Sequence, residues 1–216
     1  MSDSPAGVAD LLGVLAYAEL TAFLRLAEDA TRHAPSLSDR AALGDLAAAE
    51  YAHFRLLHDR LASLEVDPEE AMAPFVGPLD DWHTQTAPRD WLEALVKAYI
   101  GTGIALDFYR EAAARVDAAT RQLVEEVLAD EGRSQFAVER VLAALKEDPT
   151  QGGRLALWAR RMVGEALSQG RQVAAARPEL AKLLVDAAGE DITRMFTRLT
   201  EAHGRRMTAM GLTPGP

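Results

Sequence analysis

The stretch Leu46-Ala47-Ala48-Ala49-Glu50-Tyr51-Ala52-His53-Phe54-Arg55-Leu56-Leu57 decides the fold. It lies inside Ala41–Leu64, where Leu43, Leu46, Leu57, Leu61 and Leu64 recur at helical spacing. At about 100° per residue, Glu50 and His53 fall on the same face as those leucines. A carboxylate and an imidazole on a buried face need partners, because an unpaired buried charge costs several kcal/mol or changes its protonation state. A metal ion is one such partner.

Working outward, the rest of the chain supplies helices to complete a bundle. It has 216 residues, 49% hydrophobic, 26% charged and only 6% aromatic, enough for one domain with a real core. Ala and Leu dominate and few runs alternate with period two, which is an all-α pattern. The absence of Cys excludes disulfides, thiolate metal sites and thiol catalysis. The net charge of −10 is uneven: ten Lys/Arg stand against six Asp/Glu from Thr150 onward, and 13 against 27 before it. An acidic first part disfavours generic nucleic-acid binding. Met1-Ser2-Asp3-Ser4-Pro5 lacks the basic start of a signal peptide, and no run of about 18 uncharged apolar residues is present. A cytoplasmic protein without a membrane span is expected.

Gly and Pro divide the chain into six helices, at about Val8–Arg32, Ser38–Leu64, 88–116, Ala118–Lys146, Arg154–Ala176, and from Pro178 to about Gly211, the last broken near Gly189. Ser38 or Asp39 is a candidate cap for the second. The connection Val66–Thr86, with Pro68, Pro74, Gly77 and Pro78, reads as irregular and as the crossing between halves. The expected fold is all-α: one domain over residues 1–216, an antiparallel four-helix bundle over 8–146 and two additional helices over 154–211. A shift of 81 residues lays the second helix on the fourth, with Leu46 on Val127, Leu57 on Val138, Leu61 on Leu142 and Glu50 on Glu131.

Glu19 sits mid-stripe among Leu12, Leu15, Phe23 and Leu26, and Glu131 lies with Val124, Val127 and Val138. Glu19, Glu50, His53 and Glu131 are therefore the candidate metal ligands, one or two per helix in the order of a bundle carboxylate site. The second half reads Thr102, Glu131, Ser134 where the first reads Glu19, Glu50, His53. Asp107 lies about a quarter-turn from Thr102, and Asp130 sits at the edge of its stripe. Hydroxyls are poor ligands beside carboxylate and imidazole, so at most one tightly held ion is expected. Arg133 or Arg25 could neutralise the carboxylates instead. His58 and His83 have no partners at ligand spacing, and the three Trp residues read as packing anchors.

Glu-x-x-His projecting inward is the ligand pair of ferritin-like bundles. The chain resembles the ferritin-like proteins of the tRNA isopentenyl-adenosine hydroxylase (MiaE)-like family, in its actinobacterial branch. The resemblance rests on Ala16-Tyr17-Ala18-Glu19-Leu20-Thr21-Ala22-Phe23, Glu50-Tyr51-Ala52-His53-Phe54, Lys97-Ala98-Tyr99-Ile100-Gly101, Asp107-Phe108-Tyr109-Arg110-Glu111 and Arg160-Arg161-Met162-Val163-Gly164-Glu165-Ala166-Leu167. It implies a non-haem diiron centre that hydroxylates an unactivated C–H bond with dioxygen, and tRNA as a partner. The cofactor expected is iron, one or two ions, with manganese or zinc as alternatives. Three readings stand: such an oxidoreductase, a single-metal or metal-free interaction or structural module, and iron handling. The apolar surplus of the last two helices predicts that they either cover the bundle or form a homodimer interface, and a homodimer is the favoured expectation.

Overall fold

A computed structural model describes residues 5–113, 116–128, 134–184 and 192–215, with the side chains of Ala112 and Ile192 not described. The described elements are all helical: α1 Pro5–Arg32, α2 Leu37–Ser63, α3 Pro68–Met72, a 3-10 turn Ala73–Phe75, α4 Val76–Gln85, α5 Trp91–Ala113, α6 Ala118–Leu128, α7 Gln135–Glu147, α8 Gln151–Ala176, α9 Pro178–Leu184 and α10 Ile192–Ala209. The all-α expectation is met.

α1 and α2 form the tightest pair and α5 packs with both α6 and α7, so these five helices make the bundle. The α2 cap is Ser36, whose hydroxyl accepts from the Asp39 backbone N–H at 3.1 Å, two residues earlier than Ser38. The expected fourth helix is described as α6 up to Leu128 and as α7 from Gln135, and Ser134, with φ −83° and ψ 5°, forms a turn just before α7.

The connection 66–86 is also helical, contrary to its irregular reading. Asp67 caps α3 by accepting from the N–H groups of Glu69 and Glu70. Pro68 starts α3, Pro74 opens the 3-10 turn and Pro78 lies in the first turn of α4. A proline in a first helical turn removes an N–H that has no intrahelical acceptor anyway, so none of the three breaks a helix. α3 lies close on α1, where a Cβ on Gly13 would collide with the Ala71 carbonyl.

The last three helices cover the bundle. α8 packs on α4 and α5, α9 on α1, and α10 on α5. Leu155, Trp158, Met162, Leu180, Leu184, Met195 and Leu199 are buried in this way, while Leu157 remains exposed.

By length and composition α1 could cross a membrane, yet 56% of its most apolar window is buried in the fold. It also buries Asp10, Glu19 and Asp29. The core is interrupted at one level. One apolar cluster includes Leu12, Ala16, Phe54 and Leu57; another includes Leu26, Leu43, Leu46 and Ala47. Glu19 falls between them on α1, and Glu50 and His53 between them on α2.

Candidate metal centre

Glu19, Glu50 and His53 meet at that interruption, all buried. Each offers a ligand atom within 4.8 Å of the others'. His53 Nδ1 is 3.6 Å from Glu19 Oε2 and 3.7 Å from Glu50 Oε2. The i,i+3 relation of Glu50 and His53 puts both on one face of α2, and the α1–α2 pairing brings Glu19 opposite.

α5 faces the cluster with hydroxyls. Thr102 Oγ1 donates to Glu50 Oε1 at 3.0 Å, and Tyr109 Oη donates to Glu19 Oε1 at 2.7 Å. Burial, then the charge of Glu19, pushes the Tyr109 phenol well up, so it remains a donor. The other carboxylate oxygen, Glu19 Oε2, accepts no hydrogen bond among the described residues.

The protonation pattern follows from the geometry. Burial, reinforced by the nearby Glu50 charge, pushes Glu19 well above the usual carboxylate range. Burial works in the same direction on Glu50, but hydrogen bonding with Glu19, His53 and Thr102 and the charge of His53 outweigh it and lower Glu50. Burial would lower His53 as well, yet its two carboxylate neighbours win and raise it to about 10. Without a metal the cluster thus sets a protonated His53 against two carboxyls, of which Glu50 ionises more readily than Glu19.

The donor set fits one metal ion. A small cavity of about 20 Å³ is bounded by Glu19, Glu50, His53, Thr102 and Ser134. That is room for one water-sized species. Glu19, whose second oxygen has no hydrogen bond among the described residues, lines it, and oxygen with imidazole nitrogen is a donor set for iron, manganese or zinc.

Of the other residues considered from sequence, Glu131, Asp130 and Arg133 lie outside the described residues. Ser134 is buried beside the small cavity and Thr102 is on it. Asp107 is not at the centre: Arg206 and Arg110 take its two oxygens. The Arg206 guanidinium occupies the space a Cβ on Gly103 would need, which fixes that pairing. Arg25 does not neutralise the carboxylates but pairs with Glu28 at the surface, 3.1 Å away.

A larger cavity of about 270 Å³ opens beside Glu19, Glu50 and Thr102, enclosed by α1, α4, α5, α8, α9 and α10. Its wall is mostly apolar. His83 and Gln169 also line it, and each has a buried acceptor atom without a hydrogen bond among the described residues. Tyr109, Lys97 and His83 are the contributors that sequence reasoning passed over. Tyr109 had a signal, since it shares the α5 stripe with Thr102. His83 meets Thr21 across 62 positions, at 3.2 Å, and spacing gives no hint of that.

A family profile described as "Ferritin-like domain, actinomycetes" matches residues 3–187. The chain belongs to this ferritin-like family. No curated protein matches it. Among solved structures it is similar to "Protein 19 with aldehyde deformylating oxidase activity from Synechococcus", with TM-score 0.76 and 19% sequence identity over 98% of this chain and 94% of that one. That likeness confirms the ferritin-like fold, from α1 through α10.

Proposed function

We propose that this protein is a non-haem metal oxidoreductase that uses dioxygen, with its ion held by Glu19, Glu50 and His53. The observation that carries the reading is the convergence of three buried donors, within 4.8 Å of one another, on the edge of a large apolar cavity. The aldehyde deformylating oxidase activity of the similar Synechococcus protein supports the same reaction class. Glu131 is proposed as a fourth ligand from its place in the sequence pattern, and iron as the ion. When bound, the ion supplies dioxygen activation for oxidation of a C–H bond.

The chain's own residues prepare the site. Tyr109 and Thr102 each fix one carboxylate by donating to it, leaving the second oxygen of each directed at His53. The apolar wall excludes water and raises the strength of every charge interaction within it. His53 must release its proton for the ion to bind, so binding strengthens as pH rises.

Iron loaded anaerobically, followed by oxygen, tests the proposal. Wild type should consume oxygen with a change in its visible or Mössbauer spectrum, and His53→Ala should not. Identical behaviour of the two proteins would overturn it.

The sequence resemblance narrows the substrate further, to an isopentenyl group on tRNA. The cavity wall suits a branched apolar group as well as a longer chain, while the acidic bundle opposes a polyanionic partner. A second reading, a single-metal or metal-free interaction module, is favoured by the two hydroxyl donors, each of which satisfies one carboxylate oxygen without a second ion. The same proposal includes a cytoplasmic location and a homodimer. Light scattering at micromolar concentration should give twice the chain mass of 23.4 kDa, and a monomer mass contradicts the dimer.

A further inference from the structure

α2 packs on α1 along its length and on α3 and α6 besides. Its inward face buries Leu46, Glu50, His53 and Leu57. The side turned away from Glu50 exposes Asp45, Ala48, Ala52, Arg55 and Asp59, with Arg40 at its edge, and no element packs over it among the described residues. Along that side the charges run positive, negative, neutral, neutral, positive, negative. Read from the other end, every sign is reversed. Such a face is complementary to itself when a second copy lies antiparallel on it. With a two-fold axis level with Glu50, Ala48 lies opposite Ala52, Asp45 opposite Arg55, and Arg40 level with Asp59 of the second copy, and each contact occurs twice.

Within one chain these charges are poorly used. Asp45 and Arg55 are separated by ~15 Å of helix, too far to meet. Arg40 and Asp45 have no ion-pair partner among the described residues. Arg55 pairs with Asp59 at 3.2 Å, but both side chains are more than half exposed, and such a pair contributes little. Arg40 stands in the first turn of α2 and Asp59 towards its end, each at the end where the helix dipole disfavours its sign. An antiparallel partner offers each of them the opposite end of a helix.

The middle of the face permits close approach. Ala48 and Ala52 are short and exposed, and the space around Gly44 is open. Two bulky apolar side chains stand beside it, Tyr51 at 42% exposure and Leu24 of α1 at 54%, with Phe23 holding the Tyr51 ring at 5.0 Å. From Arg40 to Asp59 the strip is ~28 Å long, and with its flanks two copies cover about 1,000 Å² in total. That is the lower bound for a specific interface, so a reversible dimer is the expected strength.

We propose that the outward side of α2 is a dimer interface, on which two copies of this chain pack antiparallel about a two-fold axis level with Glu50, with Asp45 of each paired to Arg55 of the other. This rests on the homodimer reading above and names its surface; it requires no metal. Ala48 and Ala52 stand on the same turns as Glu50 and His53, so the interface backs the helix that supplies two of the three metal donors. The two donor clusters then lie roughly 20 Å apart, on either side of the paired α2 helices.

Sedimentation equilibrium over concentrations around the micromolar measures the dimer dissociation constant. Asp45→Arg should weaken the dimer roughly tenfold or more, because it sets like charges together twice across the two-fold. Arg55→Asp should do the same. The double variant Asp45→Arg/Arg55→Asp exchanges the two signs and should recover most of the affinity. A mixture of the two single variants should form a heterodimer tighter than either homodimer. A second measurement uses the absence of Cys from the chain. At concentrations where the dimer forms, a short bismaleimide should join copies of Ala48→Cys and leave Leu157→Cys, exposed on α8, unlinked. A monomer at every concentration overturns the homodimer and this surface together. A dimer that keeps its affinity in Asp45→Arg, that the double variant fails to restore, or that links through Leu157→Cys instead overturns the surface alone.

Discussion

α1 and α2 bring two carboxylates and an imidazole to the centre of the bundle, whereas α5 brings the hydroxyls of Thr102 and Tyr109, and the turn before α7 places Ser134 beside them. A cation and a hydroxyl donor both stabilise a buried carboxylate, but by different means. The cation supplies charge and demands more ligands of its own; the hydroxyl supplies one directed proton and demands nothing further. Where Thr102 stands, a carboxylate would add negative charge to an already crowded site and call for a second ion. On the proposed reading, the α5 half therefore acts as a support for one ion held by the α1–α2 half.

His53→Ala strikes the α1–α2 half and should have the largest effect. Zinc or iron affinity should fall more than about 100-fold, beyond the 10–100-fold that loss of a supporting group costs. Calorimetric titration measures it, and unchanged affinity would mean that the imidazole is structural. Tyr109→Phe strikes the α5 half and should be milder for the metal but visible in stability. It leaves Glu19 Oε1 buried without a donor, at about 1–3 kcal/mol. For a chain of this size that is a fall in melting temperature of about 2–12 °C. A melt coincident with wild type would show that the phenol bond contributes nothing.

Thr102→Val removes a single neutral donor to Glu50 and should cost about 1 kcal/mol. Metal stoichiometry should be unchanged, and its loss would make Thr102 a ligand. The mildest probe is pH on the metal-free protein. His53 is raised in the fold from 6.5 to about 10, so its contribution to stability is complete below 6.5 and disappears as pH rises through about 10. Glu19, also raised, adds in the same direction. Melting temperature should fall across that interval, and His53→Ala should flatten the fall. A melting temperature that rises there would reverse the assignment of protons.

Helical periodicity makes the site legible where its residues interrupt apolar stripes. Glu19, Glu50, His53 and Thr102 are all placed by face, and the structure brings them together. What periodicity does not show are partners far apart in sequence. Asp107 is claimed by Arg206 across 99 positions, and an angle on a helical wheel contains no information about that arginine. Tyr109 counts as apolar bulk on the wheel, although its hydroxyl is what reaches Glu19. Lys97 and His83 gather at the cavity end through α4, the same segment whose prolines suggest breaks. Each of those prolines sits in a first helical turn, which the count of prolines alone does not distinguish from an interior position. The turn at Ser134 is likewise invisible, because the apolar stripe continues in phase from Val124 and Val127 to Val138 and Val141.

The central claim is that this bundle holds one ion. Protein purified without chelator, then saturated with iron or zinc and freed of excess, should contain one metal per chain by elemental analysis, and none in His53→Ala. Two metals per chain, with the absorbance of an oxo-bridged iron pair, would contradict the account and show that the α5–α7 half binds an ion of its own.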